Sequence, residues 1–301
     1  MRAGASSVRE WRHSPIWNEV ESLSAVKCRL ASAILLVVLS AVGARAVDQG
    51  TFDHTLLDEL LTVYVNDDGW VDYAGLERDR PRLRAYLKTL ATAAPGSFAS
   101  DDERLAFWIN AYNAFTLQDV LESVYRKAKG VREVPGFFDS RKHSVASERL
   151  TLDQIEARVR KFRDPRFHFT LVCASTSCPK LQRYAYRGEQ LQEQLARVTR
   201  EFLADSERGM KIDKERNKIF ISSLFKWYAG DFTGAGNRFS RAFAIVKAYL
   251  TNGRSVINYV KKHAPAEQAR YLQEKRPKLG YLAYDWSLNS QEGRGNTKAP
   301  K

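Results

Sequence analysis

The sequence predicts a helix-rich α+β fold, a single domain around a small antiparallel β-sheet. Three observations predict it. Long stretches carry apolar residues at helical spacing, and two of them open with a capping box. Short β-prone runs face each other across polar turns, which is the pattern of antiparallel hairpins. No internal repeat and no long Pro/Gly/Ser linker divides the chain, so one core is expected rather than two. The 301 residues, 44% hydrophobic and 28% charged, belong to a folded chain and exclude disordered, collagen-like and multi-span membrane classes.

From the N-terminal side, Phe52 to Val65 places Leu56, Leu57, Leu60, Leu61 and Tyr64 at helical spacing, and NDDGW from Asn66 to Trp70 ends that helix with turn residues. A second helix is predicted from Leu76 to Leu90. Ser100 and Glu103 form a capping box that opens the strongest helix, Asp101 to about Tyr125, and Thr151 with Gln154 opens another holding Ile155 and Val159. The β signals are Lys142 to Val145 with Leu150 to Leu152, a run from Arg166 to Cys173, and Met210 to Asp213 with Lys218 to Ile221 around KERN. Helical patterns return at Gln190 to Leu203 and at Phe239 to Tyr271, with a break at Thr251 to Gly253.

Ahead of this domain, Lys27 to Ala46 reads KCRLASAILLVVLSAVGARA, a basic start, an apolar run and small residues at a cleavage site. That pattern predicts a signal peptide spanning 1–46, a domain over 47–289 and a disordered tail over 290–301. The 13 residues from Leu30 to Val42 are shorter than the roughly 20 needed to span a bilayer, so no permanent transmembrane anchor is expected after cleavage. The 25 residues before Val26 do not resemble a signal n-region, which suggests a misplaced start and a true first residue near Val26. The protein is thus expected to be exported, periplasmic or secreted. The net charge of +13 falls to +10 once the leader's six basic and three acidic residues are removed. Basic residues are dispersed, which argues against nucleic acid and leaves an anionic envelope surface or plain solubility as the reason for the charge.

Candidate chemistry lies in two blocks. In FWINAYNAF, Phe107 to Phe115, Asn110 and Asn113 share one helix face inside the protein, where their amides either clamp backbone or border a pocket beside Trp108. In DPRFHFTLVCASTSCPKL, Asp164 to Leu181, Cys173 stands at the end of a predicted strand, with Ser175 and Cys178 close behind. Strand alternation points His168 away from Cys173, so a nucleophilic Cys173 needs a strand bend that restores His168, or an imidazole from His54, His143 or His263; His143 and His168 rank first. The competing reading is a Cys173–Cys178 disulfide, whose six-residue ring is worth only about 2 kcal/mol but which an oxidising compartment favours. The C-x4-C spacing matches neither a thioredoxin-like pair nor a zinc knuckle, and Asp67, Asp68 and Asp72 lack the twelfth-position glutamate of a calcium loop; no metal or cofactor is expected. SSLFKWYAGDF with Asp231 and YLAYDWSLN with Asp285 read mainly as aromatic core, with pocket lining as the lesser alternative.

Taken in order, VNDDGWVDYAGL, LAFWINAYNAFTL, LTLDQIE, DPRFHFTLVCASTSCPKL, FKWYAGDF and LAYDWSLN resemble the family known as domain of unknown function 547, from about Phe52 to Asn289. The resemblance implies an exported α+β bacterial domain and maps motif positions onto Trp108, Asn110, Asn113, Glu156, His168, Cys173, Ser175, Cys178 and Pro179. Two functions follow as expectations. The first is a thiol-dependent hydrolase or acyltransferase similar in plan to papain and transglutaminases. In it Cys173 attacks a carbonyl, His168 or His143 takes its proton, and Glu156, Asn110 or Asn113 orients the imidazole or the oxyanion of a small-molecule or peptide ligand. The second is a non-catalytic envelope binding module with a structural disulfide.

Overall fold

The computed structural model describes residues 50–232 and 253–292. The leader, the suggested start at Val26, residues 239–252 of the predicted helical stretch and the tail from 293 onward lie outside the described residues. Among those described, the architecture is helix-rich α+β. The first helix is α1 (Thr55–Tyr64). The predicted 76–90 helix forms as two pieces, α2 (Tyr73–Arg78) and α3 (Arg80–Ala91). Pro81 causes the break, because it supplies no N–H for the Glu77 carbonyl that a continuous helix would bond. Next come α4 (Asp101–Ser123), the hairpin β1 (His143–Val145) and β2 (Glu148–Leu150), then α5 (Leu152–Arg160) and α6 (Leu191–Ala204). The second hairpin, β3 (Met210–Asp213) and β4 (Lys218–Ile221), pairs antiparallel as predicted, and β5 (Lys278–Tyr281) then joins β4 in parallel. Two single-turn helices, α7 (Leu224–Trp227) and α8 (Ala229–Phe232), follow β4, and α9 (Arg254–His263) and α10 (Ala266–Lys275) precede β5.

Helix α4 is the axis of the fold. Ser100 accepts a hydrogen bond from the Glu103 N–H at 3.0 Å, and Asp101, Asp102 and Glu103 place negative charge at the positive end of the helix dipole. Almost every residue from Leu105 to Leu121 is buried, so α4 is enclosed by other elements rather than lying amphipathically on the surface. Its polar side chains are therefore committed inward. Glu103 accepts from the Phe52 N–H at 2.9 Å and from the Gly188 N–H at 3.0 Å, tying the start of the domain to the loop before α6. Asn110 donates to the Tyr186 carbonyl at 2.7 Å and accepts from the Tyr186 N–H at 2.9 Å, closing a two-bond ring with one residue.

The predicted strand over 166–173 does not form. Asp164 caps a 3-10 turn, Pro165–Phe169, by accepting from the Arg166 N–H at 3.0 Å, and Pro165 supplies the fixed φ of a helical first position. Residues 167–172 are buried without alternation, which a strand with one wet face cannot be. Phe167 joins the main core around α4, whereas Phe169 joins a second cluster with Val198, Phe202, Ile219, Ile221, Phe225 and Phe232. This short turn therefore pins two apolar clusters together two residues apart in sequence.

The C-terminal segment laces over the loop that follows Cys173. Thr176 N–H donates to the Ser287 carbonyl at 2.8 Å, Asn289 N–H to the Ala174 carbonyl at 3.1 Å, and Tyr73 Oη to Asn289 Oδ1 at 2.7 Å. Gly130 permits this path, since a Cβ there would lie 2.0 Å from the Trp286 carbonyl oxygen. Removing the Glu103 carboxylate leaves two backbone N–H groups without their acceptor, at about 1–3 kcal/mol each. Glu103→Ala is expected to lower the urea midpoint by the equivalent of about 2–5 kcal/mol at unchanged m-value.

Candidate functional site

The site begins with the second amide of α4. Asn113 donates from Nδ2 to the Thr170 carbonyl at 2.9 Å and accepts at Oδ1 from the Val172 N–H at 3.0 Å, so the chain entering Cys173 is held on both sides of Leu171. Ala174 then takes a left-handed φ of 60°, which costs an L-residue roughly 1–2 kcal/mol and turns the chain back sharply. Cys178 N–H donates to the Ser175 carbonyl at 3.1 Å and closes the loop. Both cysteines are free thiols, and their sulfurs stand 2.8 Å apart. Cys173 is half-buried, whereas Cys178 is buried in the main core.

Three hydrogen-bonding groups converge on Cys173 Sγ. Besides Cys178, Ser175 Oγ lies at 3.1 Å and Tyr284 Oη at 3.4 Å, and the two hydroxyls are 3.1 Å from each other. The hydrogen bond from Cys178 outweighs the burial penalty, and with the Ser175 and Tyr284 hydroxyls it lowers the Cys173 thiol to about 7. Burial, the bond to Cys173 and the Cys173 charge push Cys178 in the opposite direction, so one sulfur ionises while its neighbour keeps its proton. Burial and the two sulfurs also raise Tyr284, which stays a protonated donor.

A second polar network lies beside this loop. His168 Nε2 contacts Asp231 Oδ2 at 2.8 Å, and its ring stacks on Tyr228 with centroids 4.4 Å apart. Arg160 bridges Asp231 to Glu156, whose Oε1 accepts from Arg160 Nη2 at 2.6 Å. Burial lowers His168 despite the opposing Asp231 bond; Asp231 is itself held below the usual carboxylate range, against its own burial, by the His168 bond and the Arg160 charge. Tyr112, which is buried, and Tyr228, which is partly buried, are both raised by burial first and then by the charges of Glu156 and both sulfurs.

The structure thus brings Cys173, Ser175 and Cys178 into contact, and joins Glu156 to His168 through Arg160 and Asp231. No hydrogen bond links a histidine to either sulfur among the described residues. His143 lies elsewhere: it stacks on Phe115 at 4.4 Å and places Nε2 3.0 Å from Asp119 Oδ2, in an ion contact also reached by Arg141. His54 bonds Tyr86 Oη at 2.7 Å, and burial drives its pKa down to about 3, so it stays neutral. Asn110 and Asn113 both clamp backbone. Trp108 packs in the core against Phe107, with the Arg158 guanidinium 5.9 Å from its ring centroid. Among the described residues no group of three or more His, Cys, Asp or Glu side chains is arranged to hold a metal ion.

Tyr284, Asp231, Tyr228, Tyr112 and Arg160 are site residues that the sequence did not single out in these roles. Three of them, Tyr228, Asp231 and Tyr284, sit in the aromatic blocks read as core, SSLFKWYAGDF and YLAYDWSLN. Their one available signal was an acid or phenol set among aromatics.

With this geometry in hand, comparison with known proteins adds one finding. Residues 97–203 match the model of the family described as "Protein of unknown function, DUF547". The match spans about a third of the chain. No curated protein and no solved structure matches the chain. The matched segment takes in α4, α5, the thiol loop and all but the last residue of α6, and so contains Asn113, Glu156, His168, Cys173, Ser175 and Cys178. Asp231 and Tyr284, which complete the two networks, come from beyond it.

Because the thiolate is the reactive form, alkylation of Cys173 tracks its ionised fraction. Its rate is expected to be low in acid, half-maximal near pH 7 and level above that, measured with iodoacetamide and peptide mapping. Tyr284→Phe and Ser175→Ala each remove a donor to the thiolate and are expected to move that inflection upward; a profile unchanged in both variants contradicts the assignment.

Proposed function

We propose that the protein is a thiol-dependent hydrolase or acyltransferase, acting after export, with Cys173 as its nucleophile. The observation that carries this reading is the convergence of Cys178, Ser175 and Tyr284 on a half-buried Cys173 sulfur. A thiol ionised near neutral pH is a nucleophile without a base in contact with it, which accommodates the absence of an imidazole–sulfur bond among the described residues. In the reaction, the thiolate attacks the carbonyl carbon of an ester, thioester or amide. The leaving group departs with a proton from solvent or a site hydroxyl, and the resulting thioester passes its acyl group to water or to a second acceptor. Ser175 and Tyr284 are the protonated hydroxyls beside the attacking sulfur and supply hydrogen bonds to the oxyanion that develops there. His168, Asp231, Arg160 and Glu156 form a positioning network behind Tyr228, and His168 is the imidazole nearest in sequence to the nucleophile.

This plan departs from the papain arrangement, since Cys173 follows a clamped, irregular segment rather than opening a helix. A second reading, a binding module, is favoured by one feature. Trp227 is 43% exposed and stacks on Trp286 at 5.7 Å, with Tyr284 4.6 Å from Trp286 and the Arg132 guanidinium 5.0 Å from the Trp286 ring centroid. Such a shelf beside the thiol serves equally to hold the ligand of an enzyme.

Incubation of the reduced protein with activated esters and short acyl thioesters tests the proposal. A covalent acyl adduct on Cys173 by mass spectrometry is expected, with turnover falling by about 10³-fold or more in Cys173→Ser. Protein whose Cys173 alkylates readily at pH 7 but never carries an acyl group contradicts the acyl-transfer reading and leaves the binding module.

A further inference from the structure

We propose that Cys173 and Cys178 also act as a hydroperoxide-reducing pair, in which Cys173 attacks the peroxide and Cys178 resolves the product. The inference rests on Cys173 being the nucleophile of the reading above, but not on acyl chemistry.

Four features of the loop argue for it. The sulfurs are 2.8 Å apart and both are free. The left-handed Ala174 and the Cys178-to-Ser175 backbone bond hold them on one side of the loop, so a disulfide closes with little movement of the chain. Cys173 is half-buried while Cys178 is 3% exposed, so a small oxidant from solvent meets Cys173 first and Cys178 is shielded from it. Ser175 and Tyr284 place two hydroxyls where a leaving alkoxide would form.

The steps balance. The Cys173 thiolate attacks the terminal oxygen of a hydroperoxide; the O–O bond breaks, sulfur is oxidised to sulfenic acid, and the alkoxide leaves as an alcohol or water after taking a proton from the hydroxyl pair, which solvent restores. Cys178 then attacks the sulfenic sulfur, the disulfide forms and hydroxide leaves as water with the Cys178 proton. A small dithiol reductant returns both thiols by exchange and is itself oxidised. Conversion of the thiolate to an uncharged sulfenic acid removes the negative charge that had opposed ionisation of Cys178, so the resolving thiol becomes more reactive once it is needed.

The test uses full-length chain with Cys28→Ser, reduced with dithiothreitol and then freed of it, treated with one equivalent of hydrogen peroxide in the absence of any acyl donor. Peptide mapping is expected to show a Cys173–Cys178 link with loss of two hydrogens, reversed by dithiothreitol. Cys178→Ser is expected to accumulate a dimedone-reactive sulfenic acid at Cys173, and Cys173→Ser to slow peroxide consumption at least tenfold. A link that persists in dithiothreitol marks a structural disulfide and overturns the proposal. So does a reduced, alkylatable Cys173 that ignores peroxide, an outcome that leaves the acyl reading standing. Link formation here, together with no acyl adduct in the separate incubation with activated esters and thioesters, removes the acyl step alone.

Discussion

The hydrogen bonds from Asn113 to Thr170 and Val172 are the constraint on which the rest of the site depends. They fasten an irregular segment, which has no ladder partner of its own, to the most enclosed helix in the described fold. A buried amide that satisfies one carbonyl and one N–H two residues apart fixes the direction of the chain as firmly as a strand pairing would. Everything downstream inherits that direction: the left-handed turn at Ala174, the contact of the two sulfurs and the approach of Tyr284. The same helix presents Asn110 to Tyr186 in the same manner, so α4 organises both the thiol loop and the loop leading into α6. Register is thus set by two side-chain amides three residues apart on one face.

The thiol is tuned by neutral donors rather than by a charged partner. Cys178, Ser175 and Tyr284 favour the ionised sulfur through hydrogen bonds, and each stays protonated itself, the tyrosine and the second cysteine because burial and the thiolate raise them. Such a site does not need an imidazolium next to the sulfur. His168 is committed to Asp231 and Tyr228, in a network whose far end is Glu156. Tyr112 and Tyr228 feel the charges of both networks, so the two are coupled through the electrostatic field.

Much of the fold was legible because its signals are local. The capping boxes at Ser100 and Thr151 both form, and the hairpin around KERN pairs over the residues its alternation marks. Pro81 marks the break at Asp79, a break that the helix predicted from Leu76 to Leu90 does not include. The run from Arg166 to Cys173 misled because Phe167, Phe169 and Leu171 in alternation satisfy a strand pattern, whereas here Phe167 and Phe169 serve two different clusters. Of the site, Cys173, Ser175 and Cys178 were visible as one motif. Tyr284 was not, because it arrives from 111 residues away on a segment held by backbone bonds to the thiol loop. Asp231 reaches His168 across a separation of 63 residues in the same way. Long-range polar pairing of this kind leaves no periodicity in a sequence.

Asn110 and Asn113 make matching pairs of backbone bonds, yet only Asn113 holds the chain that leads into the thiol. The most direct measurement is therefore the rate of Cys173 alkylation at pH 7 in Asn113→Ala and Asn110→Ala, each checked for retained fold by circular dichroism. Both variants lose two buried hydrogen bonds and are expected to be destabilised by about 2–5 kcal/mol. If the Asn113 clamp governs the site, Asn113→Ala changes the alkylation rate at least tenfold while Asn110→Ala stays within about twofold of the unaltered protein. Equal rates in the two folded variants would contradict it.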